Sequence, residues 1–297
     1  MKRLIIVCIL ALVAVWSCNK NRMEILDING QMRINALYPS VLTRAGESSF
    51  ESGDKIGVFV TEYYEDGTPS PLQIAGNWAT NIATTFDGTT WQTARPIFWS
   101  ERKMDVYGYY PYMDLVSVND QPFSVELDQN EAATTESLSA YEASDILWAK
   151  TEGVEAGDTG DPVELQFKHI MSKMVVKLVK GEDYQGVFPD EGTLYIHYVV
   201  PSATLDLVNG VPVKDPYGTP VTITARRVDN ETFEAILVPQ RLESRRPFLE
   251  YVANGVSYLV EDTFNFKTGR QYTYNLTINS NPDQIAIEIG GETGNWN

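Results

Sequence analysis

Two histidines, two cysteines and forty carboxylates are the side chains of this 297-residue sequence best placed to do chemistry. His169 and His197 stand 28 residues apart with no cysteine beside either. That spacing suits neither a metal site nor an activated nucleophile, and each reads as a hydrogen-bonded structural histidine. Nothing singles out one carboxylate pair for glycoside hydrolysis. Asp66-Gly67, Asp87-Gly88 and Asp158-Thr159-Gly160-Asp161 carry no twelve-residue calcium-loop spacing and read as turns. There is no Gly-x-Ser-x-Gly elbow and no phosphate-binding glycine loop. The expectation is a protein that is not an enzyme and holds neither metal nor cofactor.

Charge sets the next bound. Lysine and arginine total 23 against 40 acidic residues, a net charge of −17. A field of that sign repels phosphate backbones and anionic lipid surfaces, so nucleic acid is not an expected partner. Aromatic residues make up 11% of the chain. Tyr63-Tyr64, Trp78, Tyr109-Tyr110 and Tyr112 fit either sandwich core and rim or a surface that stacks on sugar rings. A cell-surface glycan-binding lipoprotein is therefore the alternative functional reading.

The N-terminus narrows the class. Met1-Lys2-Arg3 leads into thirteen apolar residues, 4–16. A bilayer-spanning helix needs about 20, so the run reads as the core of a signal peptide, residues 1–17. It ends at Ser17-Cys18 and resembles a bacterial lipoprotein box, which makes Cys18 the lipidated first residue of the mature chain. Cys8 leaves with the signal, so the folded part contains no cysteine and no disulfide.

The body reads as strands. Short β-branched and aromatic runs recur at 55–61, 91–99, 103–110, 123–128, 163–167, 174–179, 193–200, 203–208, 221–225, 233–238, 257–260 and 272–278. Gly, Pro, Asn and Asp bound them, as in sandwiches and barrels. The best helical candidates, 131–140 and 169–173, are short. No fixed-period repeat appears, which argues against propellers and solenoids. The Gly- and Asp-rich stretch 153–161 precedes an expected domain boundary near 164–172. This gives two all-β domains, 45–168 and 169–297.

Two terminal segments stand apart. Met32, Ile34, Ala36 and Tyr38 alternate with Gln31, Arg33, Asn35 and Leu37, which is a half-buried strand. A small-residue polar stretch, 43–49, follows it, and there Arg44 is well placed for an arginine-specific protease acting on the Arg44–Ala45 bond. At the other end, a breaker cluster at 279–283 precedes Ile285, Ile287 and Ile289, three isoleucines on one face of a last strand. Both segments read as ordinary edge strands of one molecule or as strands exchanged between molecules by β-augmentation.

These pieces together resemble the fimbrillin family of Bacteroidales-type fimbrial subunits. The resemblance rests on Cys18 and on Thr43-Arg44-Ala45. It rests also on Phe50-Glu51-Ser52-Gly53-Asp54-Lys55-Ile56-Gly57-Val58-Phe59, Val106-Tyr107-Gly108-Tyr109-Tyr110-Pro111 and Ser144-Asp145-Ile146-Leu147-Trp148-Ala149. The rest comes from Leu165 through Lys173, Gly269 through Leu276, and Trp296. It implies two tandem transthyretin-like β-sandwich domains and export as a lipoprotein anchored in the outer membrane. It further implies removal of residues 18–44 as a propeptide, and polymerisation with other fimbrial subunits by donor-strand insertion at the cell surface. The fimbrium would support adhesion to a host or bacterial surface receptor. Cys18 is then the lipid site and Arg44–Ala45 the processing site. The assignment of Ile285, Ile287 and Ile289 to a donor strand comes from their periodicity.

Overall fold

The computed structural model describes residues 30–39, 49–135, 137–157, 160–281 and 286–296, with backbone alone for 243–245 and 286–295. Strands account for nearly all of its regular structure. A six-stranded antiparallel sheet has the order β4-β3-β2-β5-β7-β9. Its members are β2 (Lys55–Glu62), β3 (Ala79–Phe86), β4 (Trp91–Thr93), β5 (Met104–Tyr110), β7 (Leu147–Val154) and β9 (Lys168–His169). β1 (Ile34–Leu37) pairs in parallel with β8 (Val163–Gln166). β6 (Gln121–Ser124) joins β12 (Ser202–Asp206) and β13 (Val211–Lys214).

A five-stranded sheet follows the order β15-β16-β10-β19-β20. It is built from β10 (Ser172–Lys180), β15 (Arg226–Arg227), β16 (Thr232–Leu237), β19 (Arg270–Ile278) and β20 (Ala286–Asn295). A four-stranded sheet has β11 (Thr193–Val199), β14 (Val221–Thr224), β17 (Arg241–Ala253) and β18 (Val256–Asn265) in the order β14-β11-β17-β18. One short helix, α1 (Ala140–Ser144), is closed by a capping box between Ser139 and Glu142.

Sheets packed on both sides explain the composition of the central strands. Every residue of β5 is buried. Val106 and Tyr110 face one apolar cluster together with Met32, Ile34, Val58, Leu165 and Phe167. Tyr107 and Tyr109 face a second, larger cluster that runs into the C-terminal half. The two halves are joined through Trp148, whose Nε1 donates to the Leu207 carbonyl at 2.7 Å. Gly210 lies beneath that indole at φ 66°, where a Cβ would strike the ring. Gln129 adds a buried amide clamp on Ile236, with bonds of 2.7 and 2.8 Å.

Several expected elements change. The run 91–99 is not one strand: Arg95-Pro96 interrupts it, β4 stops at Thr93, and the residues beyond pair elsewhere. The expected helix at 169–173 is strand, because β9 and β10 find ladder partners there. Helix forms over Ala140–Ser144, at the end of the expected 131–140 segment, where Ser139 supplies a cap.

Candidate strand-exchange site

The first strand is bonded on both flanks. On one side the Met32 amide donates to the Ile97 carbonyl at 2.8 Å and Trp99 donates to Gly30 at 3.2 Å. Those are the residues that Arg95-Pro96 freed from β4. On the other side β1 lies in parallel register with β8, Ile34 opposite Val163 and Ala36 opposite Leu165. Val163 and Phe167 extend that ladder by donating to Arg33 and Leu37 at 2.8 and 3.0 Å.

The alternation turns Met32, Ile34 and Ala36 inward, where all three are buried in the cluster of Val58, Val106, Tyr110, Leu165 and Phe167. Met32 and Ile34 contribute about 1.5–3 kcal/mol each by burial. β8 comes close enough to complete the slot because residue 108 is glycine. A Cβ there would sit 2.8 Å from Phe167 and 2.9 Å from Leu165.

The strand ends at Tyr38, a half-buried ring. It meets Phe50 edge-on at 5.1 Å. Phe50 also packs on Trp91, Tyr110 and Phe167. Nearby, the Tyr110 hydroxyl donates to Asp54 Oδ1 at 3.1 Å. Burial pushes the Asp54 carboxyl above its ordinary value. Burial first and the Asp54 charge second push the Tyr110 hydroxyl upward as well.

Tyr38 also meets His169 edge-on at 5.8 Å. His169 is 2% exposed, and its Nδ1 donates to the Asp145 carboxylate at 2.9–3.0 Å. The other ring face is stacked on Trp296, centroids 3.7 Å apart and 7° from parallel. The Trp296 amide donates to Gly269 at 3.1 Å. Lys173 lies 5.8 Å above the indole and pairs with Glu234 at 3.0 Å. The two termini of the described fold therefore converge on one histidine.

Ahead of Trp296, β20 pairs antiparallel with β19, Ile287 opposite Leu276 and Ile289 opposite Tyr274, at the edge of its sheet. Of the residues singled out from sequence, Cys18, Arg44, Ala45 and Ile285 lie outside the described residues. His197 is held by Thr222 at 2.8 Å and Glu250 at 3.0 Å. Among the described residues no group of three or more His, Cys, Asp or Glu could hold a metal. Tyr109 and Tyr110 belong to the core, while Tyr64 and Trp78 are exposed.

The fimbrillin-like family model matches residues 43–296. The chain belongs to the fimbrillin-like family. It is a subunit of fimbrial type, from a family of structural proteins not known as enzymes, and the family's place is the cell-surface fimbrium. No curated protein matches the sequence. Among solved structures, the fimbrillin-like fold here is similar to that of a candidate cell adhesion protein from Bacteroides ovatus. That pair shares 21% identity over 90% of this chain and 98% of the other, TM-score 0.68. A second candidate adhesion protein, from Bacteroides uniformis, is 21% identical over 91% and 100% of the two chains, TM-score 0.65. A fimbrial protein from Bacteroides vulgatus is 15% identical over 90% and 99%, TM-score 0.52.

Proposed function

We propose that this fimbrillin-like subunit is exported as a precursor lipidated at Cys18 and anchored in the outer membrane. Proteolysis at Arg44–Ala45 then frees residues 18–44, and the opened slot accepts a strand from another subunit. The observation that carries the reading is the first strand itself, buried on one face, bonded to the 97–99 segment at residues 30–32 and to β8 at residues 33–37. Its removal uncovers an apolar furrow flanked by unpaired backbone groups, which is what an added strand needs. Tyr38 and Phe50, the rings on either side of the Arg44–Ala45 bond in sequence, pack on each other.

The donor is the C-terminal segment with Ile285, Ile287 and Ile289, of which the last two fall in β20. It occupies a sheet edge, so its departure exposes one neighbour instead of splitting a core. The chain divides into sandwiches at 45–168 and 169–297, and the fimbrium it builds supports adhesion to a host or bacterial surface receptor.

The test is to treat the full precursor with an arginine-specific protease and run it unboiled on a denaturing gel. A ladder of polymers is expected from the wild type, monomer alone from Arg44→Ala, and shortened ladders from Ile287→Asp. Clean cutting after Arg44 that leaves only monomer overturns the proposal.

A further inference from the structure

Where Arg95-Pro96 ends β4, the chain also parts from β3. The ladder between the two strands pairs Phe86 with Trp91 through Thr84 with Thr93, and the Ala94 amide closes it on the Ala83 carbonyl at 2.8 Å. Beyond that point a cavity of about 480 Å³ opens between residues 77–82 and 95–98. Its floor is apolar: Ala79, Ile82 and Ile97 are buried members of the smaller cluster.

Trp78 and Phe98 also line the cavity, and both rings are left about half exposed, at 47% and 49%. The indole is fixed in place, because its Nε1 donates to the Phe98 carbonyl at 2.8 Å. Its one polar atom is therefore spent, and what it offers a ligand is the ring. Asn77 is spent too: it accepts from Gln73 N at 3.0 Å and donates to the Gln73 carbonyl and Thr80 Oγ1 at 2.6 and 3.3 Å. Arg95 differs. It is exposed, and its bond to the Thr80 carbonyl is 3.5 Å long, beyond the ordinary range. Among the described residues no carboxylate pairs with it, and no Asp or Glu lines the cavity.

We infer that this cavity is a glycan subsite that takes one neutral pyranose. The C–H face of such a ring packs on Trp78 and Phe98, and its hydroxyl oxygens accept from Arg95. Other ligands use only part of the wall. An acyl chain leaves the guanidinium donors unmatched, and a bare inorganic anion leaves both rings idle. An acidic glycan, like a second copy of this chain, brings more negative charge to a molecule of net charge −17. One exposed guanidinium does not offset that, since exposed ion pairs contribute little. The volume falls within the range of small-ligand cavities, about 300–1,000 Å³.

The site is independent of the first strand. The Ile97 carbonyl and the Trp99 amide face residues 30–32, while the Phe98 carbonyl between them turns away to Trp78. The inference rests on the adhesion proposed above for its purpose, and on this geometry for its ligand class.

The experiment titrates the uncut full chain with glucose, galactose, mannose and N-acetylglucosamine, and with glucuronic acid and inorganic phosphate. Saturation-transfer NMR and tryptophan fluorescence report binding. At least one neutral sugar is expected to saturate at millimolar concentration, with the two anions weaker. Trp78→Ala and Phe98→Ala should each weaken that sugar by about tenfold, and Arg95→Gln by about threefold. Phe98→Ala leaves the backbone acceptor of Trp78 in place, so with an unchanged melting temperature it separates lost stacking from a disturbed fold. Tyr217→Ala, which removes a ring 93% exposed outside the cavity, should change nothing. Failure of every neutral sugar to saturate overturns the inference, as does tighter binding of glucuronate or phosphate, or full affinity in Phe98→Ala. Because the chain is uncut, none of these outcomes depends on whether the processed subunit polymerises.

Discussion

The first and last strands have similar patterns and opposite positions. β1 pairs with β8, and residues 30–32 just ahead of it bond the 97–99 segment on the opposite flank, with the apolar face in the smaller cluster. Among the described residues β20 pairs with β19 alone, at the end of a five-stranded sheet, with Trp296 seated on His169 just beyond it. A strand bonded on two edges completes a core, and its loss leaves a furrow. A strand bonded on one edge can leave at the cost of one ladder and one anchor. Under the proposed function, this asymmetry suits the first strand to the receiving site and the last to donation.

The largest effect should come from breaking the inserted strand. Met32 is fully buried, and Met32→Asp places an unpaired charge in the cluster. The expected loss is more than about 4 kcal/mol in denaturant melts of the precursor. If the melt moves by less than a quarter of that, the strand is not holding the core, and the contrast between the termini disappears.

Trp296→Ala should be milder and local. Removing a core indole costs about 3–5 kcal/mol, and less where the surroundings can collapse, as at the end of an edge strand. Because Trp296 closes an edge strand, the cost should appear as faster amide exchange along β19 and β20, with β1 and β8 keeping their protection. Equal loss at both ends would mean that His169 couples the two strands into one unit.

Some of this was legible in the sequence, and the losses have physical causes. The alternation over Met32, Ile34 and Ala36 marked the buried face of β1, because a two-residue period survives wherever one face is covered. At β5 the polar Asp105 is buried along with its apolar neighbours. It accepts from Gly153 at 2.9 Å and pairs with Lys150 at 3.4 Å, because the sheet is covered on both sides. β17 was not read as a strand at all: Arg241, Glu243, Arg245, Arg246 and Pro247 break any pattern, and its pairing tolerates them through two register shifts. Trp296 stood out only as a closing residue. Its partner His169 is far away along the chain, and no local period encodes such a contact.

Gly108→Ala sharpens the comparison from the receiving side. The added methyl meets Phe167 and Leu165 inside normal contact distance, and overpacking of this kind costs about 1–3 kcal/mol. The damage should fall on β8 and on the seating of β1, read as exchange protection, while β20 is unaffected. In the assembly assay the same variant should weaken acceptance of a donor strand but not donation, which mixing it with wild-type subunits would separate.

The smallest effect is a pH dependence confined to the same side. Asp54 carries a carboxyl raised above its ordinary value of 3.8 by burial, against the opposing hydrogen bonds from Glu51 and Tyr110. A group whose folded value is raised binds its proton more tightly in the native state. Its stabilising contribution is therefore complete below 3.8 and fades as pH rises through the higher folded value. Asp54 bonds Tyr110, and Tyr110 packs on Phe50, which packs on Tyr38. Raising the pH through that interval should accordingly destabilise this side of the fold slightly, because burial disfavours the ionised Asp54 carboxylate. Exchange protection at β1 should fall by a small factor across the Asp54 titration followed by carbon NMR, with no matching change at β20. A titration of Asp54 at or below the ordinary aspartate value would remove the effect, and a change of equal size at both strands would assign it to the whole fold.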